Sequence, residues 1–386
     1  MSEFQQRRAA ASAALESRKV DALLVSSLAN VRYLTGYAGS NGLVLLTPSG
    51  ADFFTDPRYA SDARSNIDCR VHIATSGPLI AAAAVVIARK KLKRIGFEPA
   101  WMNVSEHRRL HDALPAGARL HPAGGLLEGL RAIKSPDEIA KIRVSVKLNS
   151  EAYARTIGRV RAGMQEREIA AELDYQMRRL GADKPAFDTI VATGPNSALP
   201  HAHPSSRRLG PNDLLLIDMG ATVDGYTSDM TRMSFMGNGR GPTPRRVREL
   251  YDAVLEAQLA AIAEVRAGVA TWKVDGAARQ VLKRHNLDKL FVHSTGHGLG
   301  LEIHEGPRIA KPPPVKKETS QANGKKSSPA PKNMPEEIFK AGMVITIEPG
   351  AYIEGFAGVR IEDTVLVTES GCEVLTPTTK EFVQLS

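Results

Sequence analysis

Two apolar patterns alternate along the chain. Short runs of aliphatic and β-branched residues stand at 20–25, 42–46, 51–55 and 94–97, and predict strands. Between them, 58–65 and 79–91 carry apolar residues at helical spacing, the second ending in Arg89-Lys90-Lys91. Strands alternating with helices predict an α/β domain over residues 1–132. A new unit, 133–386, opens at Ser135-Pro136-Asp137-Glu138. Serine as the cap, proline at the first helical position and glutamate three residues after the cap make a helix start. That helix is expected to reach Val160 and to close at Gly163. Three more follow at 165–180, 244–265 and 272–285, the first two stopped by Gly181 and Gly268.

The second unit repeats itself. Val160-Arg161-Ala162-Gly163 recurs as Val265-Arg266-Ala267-Gly268, each between two predicted helices. Farther on, the apolar run Leu214 to Ile217 ends in Asp218 with Gly220 beyond it. The run Val344 to Ile347 ends in Glu348 with Gly350 beyond it. Two matches in the same order at equivalent elements indicate an internal duplication. The helical pair is offset by 105 residues and the strand pair by 130, so the second copy carries about 25 extra. A segment rich in lysine and proline over 311–336 accounts for them and is predicted as a disordered insertion.

Charge changes the picture only once it is located. The chain of 386 residues has a net charge of +9, but Lys311 to Lys332 holds six lysines and one acid, leaving about +4 elsewhere. The excess sits in loop-like sequence without stacking aromatics, so no nucleic-acid partner is expected. No run approaches the ~20 apolar residues of a membrane span, and no membrane association is expected. Met1 to Arg8 leads into alanine-rich sequence without an apolar core and cleavage site, so no secretory signal is expected. Cys69 and Cys372 form no CxxC pair; one disulfide stays open as an alternative to free thiols in a reducing cytoplasm, the expected compartment.

The repeated strands carry the chemistry. A carboxylate at the end of a buried strand costs several kcal/mol unless a cation or partner compensates it. Each copy adds another acid soon afterwards: Asp229 in Thr227-Ser228-Asp229, and Glu362 in Arg360-Ile361-Glu362. If the copies face each other across a pseudo-two-fold axis, four carboxylates converge, and two divalent ions would balance them. A nitrogen ligand is available from His297 between two glycines, in a stretch that also holds His293 and His304. Singly, such residues are most often caps, turn residues or hydrogen-bonded core histidines. Five of them in a repeated context point to metal. Four oxygens and one imidazole suit manganese, iron or cobalt better than a structural zinc.

The segments Pro200-His201-Ala202, Ile217-Asp218-Met219-Gly220, Ser228-Asp229-Met230-Thr231-Arg232, Gly296-His297-Gly298, His304-Glu305, Ile347-Glu348-Pro349-Gly350 and Arg360-Ile361-Glu362-Asp363 resemble the pita-bread metallopeptidases, in the subgroup of aminopeptidase P and prolidase. The resemblance covers nearly the whole chain. It implies a creatinase-like N-terminal domain followed by a duplicated pita-bread catalytic domain. By the same resemblance Asp218 chelates one of two divalent ions, expected to be manganese, with cobalt, iron or zinc as alternatives. Asp229 and Glu362 bridge both ions, His297 and Glu348 complete the shells, and Glu348 doubles as general base. His201 and His304 match catalytic positions. His293 and Tyr352 match substrate-orienting positions. Arg360 matches one that binds a carboxylate or supports a ligand, the alternative being a plain ion pair with Glu362 or Asp363. The implied partners are short proline-containing peptides and a second copy in a homodimer.

The implied reaction is hydrolysis of the Xaa-Pro bond at a peptide N-terminus, as in an Xaa-Pro aminopeptidase. The first alternative is an Xaa-Pro dipeptidase, and the second is an inactive pita-bread peptide-binding module. Intact ligand residues argue against the inactive module. The insertion lies between His304 and Glu348, which leaves it as a tolerated surface loop or a lid limiting substrate size.

Overall fold

A computed structural model describes residues 1–237, 242–312 and 336–385. Most of the anticipated insertion, 313–335, lies outside the described residues. The chain divides into two compact units, Met1–Arg131 and Ala132–Ser386.

In the first unit a six-stranded mixed sheet runs in the order Arg70–Ile73, Gly50–Thr55, Leu43–Thr47, Ala22–Val25, Arg94–Phe97, Arg119–Pro122. The helix Leu79–Arg89 buries Ile80, Ala83, Ala84 and Ile87, the i, i+3, i+4, i+7 stripe of an amphipathic helix. That stripe packs on Leu24, Leu45, Phe54 and Ile95 of the sheet. Each such aliphatic side chain fully withdrawn from water contributes roughly 1.5–3 kcal/mol. Beneath the sheet's edge, buried Asp52 accepts from Lys90 Nζ at 2.6 Å and meets His72 Nε2 at 2.7 Å.

The second unit is built twice. Its first helix, Pro136–Ile157, opens with the Ser135–Glu138 capping box and packs beside Glu166–Arg179. The second pair is Arg245–Ala263 with Thr271–Arg284. The glycine shared by the repeated tetrapeptides has a backbone reason. Gly163 and Gly268 sit at φ +90° and +82°, the left-handed region that side chains disfavour. Each donates its N–H to a strand-side carbonyl, Leu209 O for one and Phe339 O for the other.

Each half also contributes a sheet with the same local order. In one, Leu214–Met219 runs antiparallel between Ile190–Thr193 and Met230–Met236. In the other, Val344–Ile347 runs antiparallel between Gly296–Gly298 and Asp363–Val367. Both central strands are buried on both faces, which is why they read as unbroken apolar runs. Alternation still sorts them: Leu215, Ile217 and Met219 face the first helix pair, whereas Leu214 and Leu216 join the cluster of the second pair with Ile345 and Ile347. Asp218 has the parity of Leu214 and Leu216, and so points from its strand to the face shared by the halves.

Candidate active site

The site lies where the two central strands end. Asp218 is the fifth residue of Leu214–Met219, and Glu348 follows Val344–Ile347 directly. Asp229 and Glu362 each stand just before the strand that pairs with that central strand, Met230–Met236 for one and Asp363–Val367 for the other. Duplication therefore places an equivalent pair of acids in each half. His297 comes from the short strand Gly296–Gly298, so the candidate imidazole ligand is supplied by the second half. Its flanking glycines are needed for packing: a Cβ on Gly296 would lie 2.0 Å from Thr346 O, and one on Gly298 2.1 Å from Gly306 O.

Ligand atoms of Asp229, His297 and Glu362 all lie within 4.8 Å of one another. Glu348 joins them, with Oε1 at 3.4 Å from His297 Nε2, while Asp229 Oδ2 is 3.7 Å from the same nitrogen. Asp218 is paired with Arg360, whose Nη2 donates to Oδ2 at 2.5 Å. The open alternative for Arg360, a pair with Glu362 or Asp363, is not what the structure contains. Asp363 is taken instead by Arg232 at 2.7 Å and Lys380 at 2.6 Å.

Two oxygens in this cluster are orphaned. Asp218 Oδ1 and Asp229 Oδ1 are buried and accept no hydrogen bond among the described residues. Buried carboxylate oxygens are ordinarily satisfied. Burial first, then the charges of Glu362, Asp218 and Glu348, push the Asp229 carboxyl well above its ordinary range. Burial and the same neighbours raise Glu362 in the same way, and burial above all lifts Glu348 to about 7. Three acids that resist ionising, set beside Asp218 and with two vacant acceptor atoms among the four, fit a site for divalent cations. One imidazole among them suits the same ions: burial lowers His297 to about 4, which keeps it neutral and able to donate a lone pair.

Around this centre the other predicted residues fall into two groups. Tyr352 has its hydroxyl 2.8 Å from His293 Nε2 and receives Arg360 Nη1 at 2.8 Å, so His293, Tyr352, Arg360 and Asp218 form one chain of contacts. His304 stacks edge-on against His297, with ring centroids 4.4 Å apart. His201 is exposed, yet its charge lowers the pKa of both His293 and His304, which puts it on the same rim.

Several residues here were not legible as functional. Thr231 donates to Glu362 Oε2 at 2.7 Å and receives Arg360 Nε at 3.2 Å. Thr346, two residues before Glu348 and so on the same strand face, donates to Glu348 Oε1 at 3.3 Å and accepts from His297 N at 3.1 Å. Arg232 gathers the carbonyls of Thr231, Glu362, Thr378 and Thr379 behind the ligands. Strand parity was the available signal for the two threonines; Arg232 stood in the motif Ser228 to Arg232, which gave it no role of its own.

Both cysteines are free thiols. No helix among the described residues is long and apolar enough to cross a membrane.

Comparison with known proteins meets this geometry at the level of whole domains. The model for metallopeptidase family M24 matches residues 140–369, and that for the creatinase/prolidase N-terminal domain matches residues 7–133. An Xaa-Pro dipeptidase of Pyrococcus furiosus is 41% identical over 258 residues, 67% of each chain. Among solved structures, an Xaa-Pro dipeptidase from Bacillus anthracis superposes with a TM-score of 0.89 at 31% identity, covering 99% of this chain and 100% of that one. An X-Pro aminopeptidase from Thermotoga maritima gives 0.83 at 32% identity, covering 97% and 100%.

Proposed function

The chain belongs to metallopeptidase family M24 and is a metallo-exopeptidase; on that premise we propose that it is an Xaa-Pro dipeptidase, releasing free proline from short proline-containing dipeptides. The reading of the sequence put the aminopeptidase first and the dipeptidase second. Relatives named as dipeptidases favour the second, although the similar Thermotoga aminopeptidase keeps the first as the competing outcome.

One observation carries the hydrolytic reading: the two orphaned Oδ1 atoms of Asp218 and Asp229 within a group made of these two acids, buried Glu362 and part-buried Glu348. In it, Asp218, Asp229, His297, Glu348 and Glu362 would hold two divalent ions, manganese first, with cobalt, iron or zinc as alternatives. Bound there, such ions polarise a scissile carbonyl and lower the pKa of water. The chain's own groups do the rest. Glu348 takes the proton leaving the attacking water at its carboxylate and returns it to the proline nitrogen as the C–N bond breaks. His201 and His304, on the rim, donate hydrogen bonds to the peptide beside the scissile bond. His293 and Tyr352 orient the substrate, and Arg360 fixes Asp218 while presenting a positive charge to that end of the site. Residues 133–386 are read as the catalytic domain and 1–132 as a domain that shapes access. A homodimer and a cytoplasmic location belong to the same reading, carried by the family resemblance and the cysteine usage.

Hydrolysis of Ala-Pro and Ala-Pro-Ala by the manganese-loaded protein tests the assignment. Cleavage of the dipeptide alone is expected. Cleavage of the tripeptide alone would reassign it as an aminopeptidase. With metal confirmed in the protein, inertness toward both would overturn proline specificity.

A further inference from the structure

We propose that Glu166 is a positioning residue for His201: its carboxylate is the clasp that closes the loop from Thr193 to Ser205 and so sets where the His201 imidazole stands. The proposal rests on the role given to His201 above.

Glu166 is the first residue of the helix Glu166–Arg179 and is completely buried. A carboxylate in that position needs a cation or a full set of donors. Among the described residues no lysine or arginine forms an ion pair with it. Six hydrogen bonds serve instead. Oε1 accepts from Thr193 N at 2.7 Å, Thr193 Oγ1 at 2.9 Å and Asn196 Nδ2 at 3.0 Å. Oε2 accepts from Ser205 N at 3.0 Å, Ser205 Oγ at 2.6 Å and Asn196 Nδ2 at 3.2 Å. The helix N-terminus adds its own favourable field.

Between the two anchor points the chain makes the 3-10 turn Gly194–Ala198 and then Pro200-His201. The middle of this loop is fixed to the strand Ala357–Arg360. Gly358 N donates to Ser197 Oγ at 2.9 Å, Arg360 Nη1 donates to Pro200 O at 3.1 Å, and a Cβ on Gly358 would lie 2.2 Å from Ser197 O. By contrast, the His201 ring makes no hydrogen bond, ion pair or ring contact among the described residues. Its location is therefore set by its backbone, and its backbone by the clasp and the strand. The second half of the molecule secures its own histidine loop differently. There Asp275 pairs with Arg279 at 2.7 Å, and Arg279 holds the carbonyls of Phe291 and His293.

Replacing the carboxylate with an amide of the same shape breaks the clasp. Each oxygen of Glu166 accepts a backbone N–H, Thr193 on one side and Ser205 on the other. Hydroxyl donors can turn to become acceptors; backbone N–H groups cannot. Whichever way a glutamine amide is placed in Glu166→Gln, its NH₂ meets a backbone N–H.

The experiment is a double-mutant cycle between Glu166→Gln and His201→Ala in the full manganese-loaded chain, read on Ala-Pro hydrolysis. Misplacing His201 by a fraction of an ångström is expected to lower kcat roughly 10- to 100-fold, with KM and bound manganese much less affected. In the His201→Ala background the same change is expected to cost no more than about twofold, because the residue it positions is gone. Hydrogen exchange supplies a readout independent of turnover: amides of 194–205 speed up, and those of the ligand-bearing strands do not. Losses that multiply in the double mutant, or wild-type kcat in Glu166→Gln, would overturn the proposal. A His201→Ala enzyme with wild-type rates would instead remove the role of His201 itself, a different failure. Ser205→Ala, which deletes only the hydroxyl donor at 2.6 Å, enters the same cycle if Glu166→Gln does not fold.

Discussion

Thr231→Val is the most informative single change at this centre. Thr231 is buried in the strand Met230–Met236, paired in register with Asp218. Valine keeps the branched shape and the strand preference, so packing and ladder hydrogen bonds survive. What goes is one hydroxyl, which donates to Glu362 Oε2 at 2.7 Å and accepts from Arg360 Nε at 3.2 Å. A hydrogen bond to a charged group contributes about 1.5–3 kcal/mol. At about 1.4 kcal/mol per tenfold, the loss is roughly 10- to 100-fold in manganese affinity, the range seen when groups that orient a ligand are removed. Chelator-competition titration of the apoprotein measures it directly. Thr231→Ser, which restores the hydroxyl, is expected to regain most of the affinity, and saturating manganese is expected to recover most of kcat in the valine variant. Manganese binding in Thr231→Val within about twofold of wild type would refute the claim that this hydroxyl orients Glu362.

Two further outcomes follow from other parts of the molecule. Glu348→Gln is expected to lower kcat on Ala-Pro by ~10²–10⁴ beyond any drop in metal content, measured by atomic absorption on the same sample; a deficit fully explained by lost metal would remove Glu348 as proton carrier. In the N-terminal unit, burial alone would raise the Asp52 carboxyl, but hydrogen bonds from Lys90 and His72 outweigh it and hold the group below its ordinary value. A depressed carboxyl contributes stability above its unfolded pKa of about 3.9, and that contribution fades as pH falls through the native value. Urea melts should therefore show Asp52→Asn less stable than wild type at pH 7, with the gap closing below about pH 4; a gap independent of pH would dismiss the ion pair as its source.

How far the sequence could be read depended on whether each signal was local. The Ser135-Pro136-Glu138 start specified its helix because a capping box is a complete short-range device. Similar boxes at Ser2–Gln5 and Asn103–Glu106 went unread. The helix Glu3–Ala14 behind the first has almost no apolar stripe, and the helix Val104–Ala113 behind the second buries only Leu110. The strands ending in Asp218 and Glu348 stood out as unbroken apolar runs, and their duplication showed that the acids following them were related. The support of those acids was not visible. A threonine in a strand is the default for that backbone, and only the fold brings Thr231 against Glu362, 131 residues away. Glu166 was hidden for the opposite reason: a glutamate in a first helical turn is so commonplace that its complete burial left no trace in the pattern.

Arg232 also ties the ligand-bearing strands to a distant stretch of the chain. Its guanidinium joins the carbonyls of Thr231 and Glu362 to those of Thr378 and Thr379, and Asp363 beside it needs Lys380. The segment 378–380 thus braces the backbone of Glu362 through Arg232 and the neighbouring Asp363, although it supplies none of the four acids or the imidazole. Substitutions over 378–380 are therefore positioned to loosen Glu362 from behind without changing any of the ligand residues.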